Sequence, residues 1–186
     1  IRASSCQRLD LFFMVGLPYQ DYQSVMETVE YCGELLRMYG GTKRLVPMFA
    51  PLAPFLDPGS RLFEEPERFG YRLFYRTLRE HRQAMLMPTW KLSLNYETRW
   101  MTRDDIVRAT YDGAMRLVEL KAAHGLMDKS EAEKIRQHIL MAKDLMKRLE
   151  DTAMMDDSLK QEILRLNRND SLCGTYELKW PVKSWH

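Results

Sequence analysis

Between Leu9 and Val15 the chain runs LDLFFMV, with no polar position after Asp10. Such a run predicts a strand covered on both faces, as in a parallel sheet. Gly16 and Pro18 break the extension, and Asp21 can accept from the free N–H groups of a helix over about 22–39. Val25, Val29, Cys32, Leu36 and Tyr39 alternate at spacings of four and three, which is one helical face, and Gly40-Gly41 supplies the stop. RLVPMFA at 44–50 is apolar again, so residues 9–50 read as strand, helix, strand. Pro47 is the weak position, because proline donates nothing to a ladder and prefers an edge or a bulge.

After the second strand the pattern changes. PLAPFLDPGS at 51–60 predicts a loop with Asp57-Pro58-Gly59 as its turn. Residues 66–85 carry a helical period, with Leu73, Thr77, Leu78, His81 and Met85 on one side and arginines on the other, closed by Met87-Pro88. The aromatic stretch 89–100 predicts a loop with a short strand at 91–95. Thr102 with Asp105 forms a capping pair for a helix through Ile106, Ala109, Gly113, Leu117 and Leu120 to Gly125. Ser130 with Glu133 forms a capping box for a long helix through Ile135, Ile139, Ala142, Leu145 and Leu149 to about 153. A last helix at about 158–166 and a tail at 171–186, where Tyr176, Leu178 and Trp180 alternate, complete the reading. The expected organisation is an α/β piece at 1–65 and a helical piece at 66–186, which need not be separate domains.

Composition narrows the function classes. A chain of 186 residues with 45% hydrophobic residues can bury one full core. The 28 basic and 26 acidic residues are interspersed, so no single-sign field attracts nucleic acid. Cys6, Cys32 and Cys173 are odd in number and far apart, which fits a reducing compartment and no metal motif. The longest apolar run is far short of the roughly 20 residues of a membrane helix, and Ile1-Arg2 does not begin a signal peptide, so a cytoplasmic protein is expected. With a strand due at Leu9, and two strands too few for a stable parallel sheet, the chain reads as a piece of something longer.

Candidate chemistry is sparse. His81, His124 and His138 have no second ligand at a metal-compatible spacing and read as surface or satisfied histidines. Met115, Met141 and Met146 fall within helical patterns as core filler. The row Arg68, Arg72, Arg76, Arg79 and Arg82 reads as a solvated face offset by Glu64, Glu65, Glu67 and Glu80, or else as a face for an anionic substrate. No Gly-x-Ser-x-Gly, Gly-x-x-x-x-Gly-Lys or Gly-x-Gly-x-x-Gly occurs.

FFMVGLPYQDYQSVMETVEYCGELL is similar to the stretch of radical S-adenosylmethionine (SAM) enzymes in which a late barrel strand ends in Gly-x-Pro-Gly-Glu-Thr before a helix. RLVPMFAPLAPFLDPGSRLFE resembles the next unit of that family, a strand and a proline-rich loop ending in Pro-Gly-Thr or Pro-Gly-Ser. Together the two cover about residues 9–64, nearest to the subgroup with an N-terminal cobalamin-binding domain. The resemblance implies an α/β fold: a partial TIM-type barrel, its earlier strands upstream, followed by a mainly helical C-terminal extension. It implies S-adenosylmethionine and a [4Fe-4S] cluster in the full-length protein, with cobalamin in the subgroup, and none of them tightly bound here. The reaction implied is reductive cleavage of S-adenosylmethionine to a 5′-deoxyadenosyl radical acting on an unnamed small molecule.

By the same resemblance, Gly16, Leu17, Pro18 and Gln20 after the first strand and Pro47, Met48 and Phe49 in the second would be cofactor-contacting. Gly16 would admit close backbone approach, and the second strand's backbone would meet the adenine edge. Tyr19-Gln20-Asp21 replaces the family's Gly-Glu-Thr, which leaves polar contacts from this loop open. The cluster loop Cys-x-x-x-Cys-x-x-Cys is absent, so this chain alone should be inactive. Its expected partner is the remainder of its own polypeptide, and its strand edges could also pair two copies. The rival reading is a non-enzymatic helical interaction module with a short α/β cap.

Overall fold

The computed structural model describes residues 7–39, 43–51, 56–87, 89–151 and 161. Strand β1 (Leu9–Val15) and helix α1 (Tyr22–Tyr39) form where the pattern places them, and β2 (Leu45–Pro51) is shifted by one residue from 44–50. The strands pair in parallel, Leu9 opposite Leu45 and Val15 opposite Pro51. Pro47 lies inside β2 opposite Leu11, and β2 has no second neighbour among the described residues, so one side of it is free of ladder bonds.

The helix covers one face of this pair. Val25, Val29, Cys32 and Leu36 of α1 are buried, while Tyr39, at the end of the helix, is exposed. Phe13 meets Tyr31 of α1 edge-on at 6.4 Å. The other face of β1 is not covered as expected: Phe12 is 63% and Met14 47% exposed, and among the described residues β1 has no partner beyond β2.

Helix α5 (Arg103–Ala123) packs on β2 and alongside α1, and one core runs from Val15, Val29 and Phe49 through Tyr96 and Met101 to Ile106 and Leu117. The close approach depends on Gly113, where a Cβ would lie 2.8 Å from Cε1 of the buried Phe49 ring. Gly113→Ala should therefore destabilise by about 1–3 kcal/mol through overpacking, despite a helix-propensity gain of about 1 kcal/mol. Urea unfolding checks this, and a stabilised variant would show that the ring yields.

Thr102 caps α5, its hydroxyl accepting from the Asp105 N–H at 3.2 Å while the Asp105 carboxylate accepts from the Thr102 N–H at 3.1 Å. The Thr102 hydroxyl and then its N–H hold the Asp105 carboxyl below its ordinary 3.8. A depressed carboxyl stabilises the fold above its unfolded value and loses that contribution as pH falls through the folded one. Protection of the first-turn amides of α5, taken relative to their intrinsic exchange rate at each pH, should fall on acidification below about pH 4, and Asp105→Asn should remove that pH dependence.

Helix α6 (Lys129–Asp151) packs on α5 through Ile135, Ile139 and Met146 against Val107, Tyr111, Ala114 and Val118. Its start is not the Ser130–Glu133 box: Asp128 accepts from the Glu131 N–H at 2.8 Å and caps the helix instead. Met146 is buried, whereas Met141 is exposed.

The expected helix at 66–85 is interrupted. Helix α2 (Arg61–Glu64), capped by Ser60 after the Asp57-Pro58-Gly59 turn, precedes a 3-10 turn at Pro66–Phe69 that Gly70 ends with φ of 77°. Strand β3 (Tyr71–Leu73) follows, and a fresh capping box, Thr77 with Glu80, opens α3 (Leu78–Ala84). The arginine row is thus split: Arg68 in the 3-10 turn, Arg72 in β3, Arg79 and Arg82 in α3, and Arg76 in the link before the α3 cap. In the aromatic stretch the strand expected at 91–95 is displaced: Trp90–Ser93 is a short helix, α4, and Tyr96–Thr98 is β4, antiparallel to β3 with Tyr71 opposite Thr98. Turn capping and tertiary pairing outweigh periodicity in both places.

The fold is mixed α/β with two two-stranded sheets, and among the described residues neither closes into a barrel. No helix among them is long and apolar enough to cross a membrane. The helix expected at 158–166 and the tail at 171–186 fall outside the described residues, Gln161 apart.

Candidate functional site

The loop after β1 is built by its own polar groups. Gly16 adopts φ of 91°, and the Gln20 side chain folds back so that its Oε1 accepts from the N–H groups of Gly16 at 2.9 Å and Leu17 at 3.2 Å. Its Nε2 donates to the Met14 carbonyl at 3.1 Å. Asp21 and Ser24 close the start of α1 reciprocally, each accepting from the other's N–H, at 2.8 Å for Ser24 N–H and 2.9 Å for Asp21 N–H. The Ser24 N–H holds the exposed Asp21 carboxyl below the usual carboxylate range.

Two buried tyrosines floor this loop. Tyr71 donates its hydroxyl to the Gly16 carbonyl at 3.0 Å, and Tyr96 meets the Tyr71 ring edge-on at 5.3 Å. A Cβ on Gly16 would stand 2.6 Å from the Tyr96 hydroxyl, so the space beside this glycine is filled by a side chain of the same protein. Burial pushes the Tyr71 hydroxyl up to about 12, and burial with Tyr71 alongside pushes Tyr96 further in the same direction. Neither ionises at neutral pH. The Tyr96 hydroxyl has no hydrogen-bond partner among the described residues. Tyr96→Phe should therefore be neutral or stabilising by up to about 1 kcal/mol, read by thermal unfolding; a loss above that would reveal a partner for the hydroxyl.

Above the loop, Tyr19 holds φ of 64° and is 83% exposed, its ring 4.7 Å from that of Trp100. At the end of β2 a second fixture secures the returning chain. Asn95, fully buried, accepts from the Leu56 N–H at 2.6 Å and donates through Nδ2 to the Leu56 carbonyl at 3.3 Å. That orientation turns the same Nδ2 toward His81 Nε2 at 3.2 Å, so this ring nitrogen is the acceptor.

Gly16, Leu17, Pro18 and Gln20 are thus brought together at the C-terminal end of β1. Pro47, Met48 and Phe49 are not brought to them: they pair with Leu11, Phe12 and Phe13 in the middle of the sheet. Pro47 stands four residues short of the strand end, about 13 Å at the strand rise. Phe49 points to the helix side, against Gly113 and Val29, while Met48 and Pro47 are buried.

Among the described residues of this loop, the polar groups are taken up by the loop's own hydrogen bonds. No group of three His, Cys, Asp or Glu that could hold a metal occurs among the described residues. Cys32 lies in the core with Val25 and Val29, and Cys6 and Cys173 are outside the described residues, so what is described of this chain does not fit an iron–sulfur cluster. The Gly16 and Leu17 N–H groups are engaged by Gln20, which leaves apolar walls and the exposed Tyr19 ring as what the loop presents. Sequence reasoning missed Tyr71, Tyr96 and Asn95. Isolated polar and aromatic residues in an irregular stretch carry no period, and only the fold aims them at Gly16 and Leu56.

Compared with known proteins, the chain matches no family model, no curated protein and no solved structure.

Proposed function

We propose that this chain is the C-terminal part of a radical S-adenosylmethionine enzyme, contributing the last strand-helix units of a partial TIM-type barrel and a mainly helical extension. What carries the reading is the parallel pairing of β1 with β2 across α1, with a glycine-proline break after the first strand and a proline-rich loop after the second. A parallel pair joined by a helix is a repeating unit that needs further strands on its free edges. Among the described residues β1 has a partner on one edge alone, and its other edge is where a preceding barrel strand would pair.

The reaction we assign to the whole enzyme is reductive cleavage of S-adenosylmethionine to a 5′-deoxyadenosyl radical that takes hydrogen from a small-molecule substrate. Cobalamin would add methyl transfer or rearrangement. The cluster ligands belong upstream, and this chain alone is inactive. Its share is positional: β1 and β2 form apolar wall, and the Gln20-braced loop fixes one rim at the strand ends, where barrel active sites are built. A cytoplasmic setting and the remainder of the same polypeptide as partner complete the proposal. Two separated copies would pair through β1 edges.

Calorimetric titration of S-adenosylmethionine into the isolated chain tests this division of labour. Only weak, non-saturating heat is expected, because most of the pocket is missing. Micromolar binding would contradict the assignment of the cofactor site to upstream strands.

A further inference from the structure

We propose that Tyr19 and Trp100 form a stacking platform for a small molecule whose planar aromatic ring carries one anionic group, a nucleoside monophosphate being the simplest of that class. The inference stands apart from the radical-enzyme reading, since neither ring is among the residues assigned there to the cofactor. It starts from Tyr19. A φ of 64° lies in the left-handed region, where a bulky side chain is an outlier. Such strain collects at positions that clamp ligands, where the surrounding structure enforces it. Tyr19 takes no part in the core, so packing there does not account for the strained backbone. What that backbone achieves is an aromatic side chain turned out to solvent at the end of β1, its ring centre 4.7 Å from that of Trp100 and the two planes tilted by 42°.

Trp100 is the fixed member of the pair. Its backbone N–H donates to the Thr98 hydroxyl at 3.2 Å, and the Arg99 N–H donates to the Gly70 carbonyl at 2.9 Å. Gly70, at φ of 77°, gives the indole its seat: a Cβ there would stand 2.6 Å from Cη2 and Cζ3 of Trp100. The indole is thus held against backbone, while the side of the Tyr19 ring away from it stays open to a third ring. A stacked base gains roughly fivefold to a hundredfold in affinity from such an aromatic partner. Arg99 supplies the charge. Its side chain passes the same glycine, Cδ 3.7 Å from that Cβ position, and its guanidinium donates to the Glu67 carbonyl at 3.1 Å. Arg68 and Arg72 are tied to Glu65 and Glu97, whereas Arg99 has no carboxylate partner among the described residues and keeps donors for a phosphate. Exposed Glu64, Glu65 and Glu67 lie on the turn that Arg99 reaches, so one anionic group is matched here and the many phosphates of a long single strand are not.

Titration of the full chain with adenosine 5′-monophosphate, followed by NMR at the Trp100 indole N–H, tests the platform. The peak, assigned with Trp100→Phe, should move to saturation with a Kd on the order of 1 mM. Adenosine should move the same peak at higher concentration, and ribose 5-phosphate should leave it in place. Arg99→Gln should bring the monophosphate to the affinity of adenosine. Tyr19→Gly and Tyr19→Asn, both at home in the left-handed region, should weaken both ligands by at least about fivefold while melting within about 4 °C of wild type. Retained affinity in both Tyr19 variants, or a Trp100 shift with ribose 5-phosphate alone, would overturn the proposal, as would a peak that stays still at about 20 mM monophosphate. Melting lowered by more than about 8 °C in both variants would assign the Tyr19 ring to packing instead. An oligodeoxyadenosine bound more than about a hundredfold tighter than the monophosphate would transfer the surface to nucleic acid.

Discussion

Gly16→Ala should lower stability by about 2–5 kcal/mol. Two costs combine. A side chain at a left-handed backbone position costs about 1–2 kcal/mol, and Gly16 sits at φ of 91°. The new methyl would also enter the fully buried Tyr96 side chain, 2.6 Å from its hydroxyl and 3.2 Å from its ring, an overpacking worth about 1–3 kcal/mol. For a chain of this size the melting temperature should fall by about 5–15 °C. Combining Gly16→Ala with Tyr96→Phe should return about 1 kcal/mol by removing the closest atom, while the backbone cost remains. A single variant within about 0.5 kcal/mol of wild type would mean that the loop can move off the tyrosine.

Asn95→Ala should cost about 2–4 kcal/mol, because it strands two buried backbone groups at once. The Leu56 N–H and carbonyl both lose their partner, and the His81 ring nitrogen loses its donor. The cost falls where the chain returns from the proline-rich loop to the core, so exchange of the Leu56 amide should accelerate by far more than that of core amides in α5. Unchanged protection at Leu56 would show that another group holds the turn.

The contrast between these residues and the rest of the chain explains what could be read in advance. β1, α1 and α5 were legible to the residue or nearly so, because each has an uninterrupted apolar period and a local punctuation mark: Gly16-Pro18, Asp21, Thr102 with Asp105. The long helix at 66–85 failed because Gly70 and the Thr77 capping box cut a period that persists across the break by coincidence. The start of α6 was misplaced by two residues because Asp128 competes with Ser130 for the cap, and an aspartate just ahead of the helix reaches the free N–H. Gly16 was recognised as special, yet its neighbour is Tyr96, from a residue eighty positions away. A glycine in sequence declares only that a Cβ is unwelcome; what excludes it is a tertiary fact. The pairing of β1 with β2 was legible as a strand-helix-strand unit, whereas the open face of Phe12 and Met14 was not, since the same apolar run fits a strand covered on both sides.

The proposal that these strands close a larger barrel is tested most directly by translating the coding frame upstream of Ile1. A Cys-x-x-x-Cys-x-x-Cys loop about 100–200 residues earlier, the room that the missing strand-helix units require, is the expected result; the loop would supply the cluster ligands, and the strands around it the neighbour for the edge of β1 that has no partner among the described residues. A start codon immediately before Ile1 would contradict the radical-enzyme account and leave a helical interaction module with a short α/β cap.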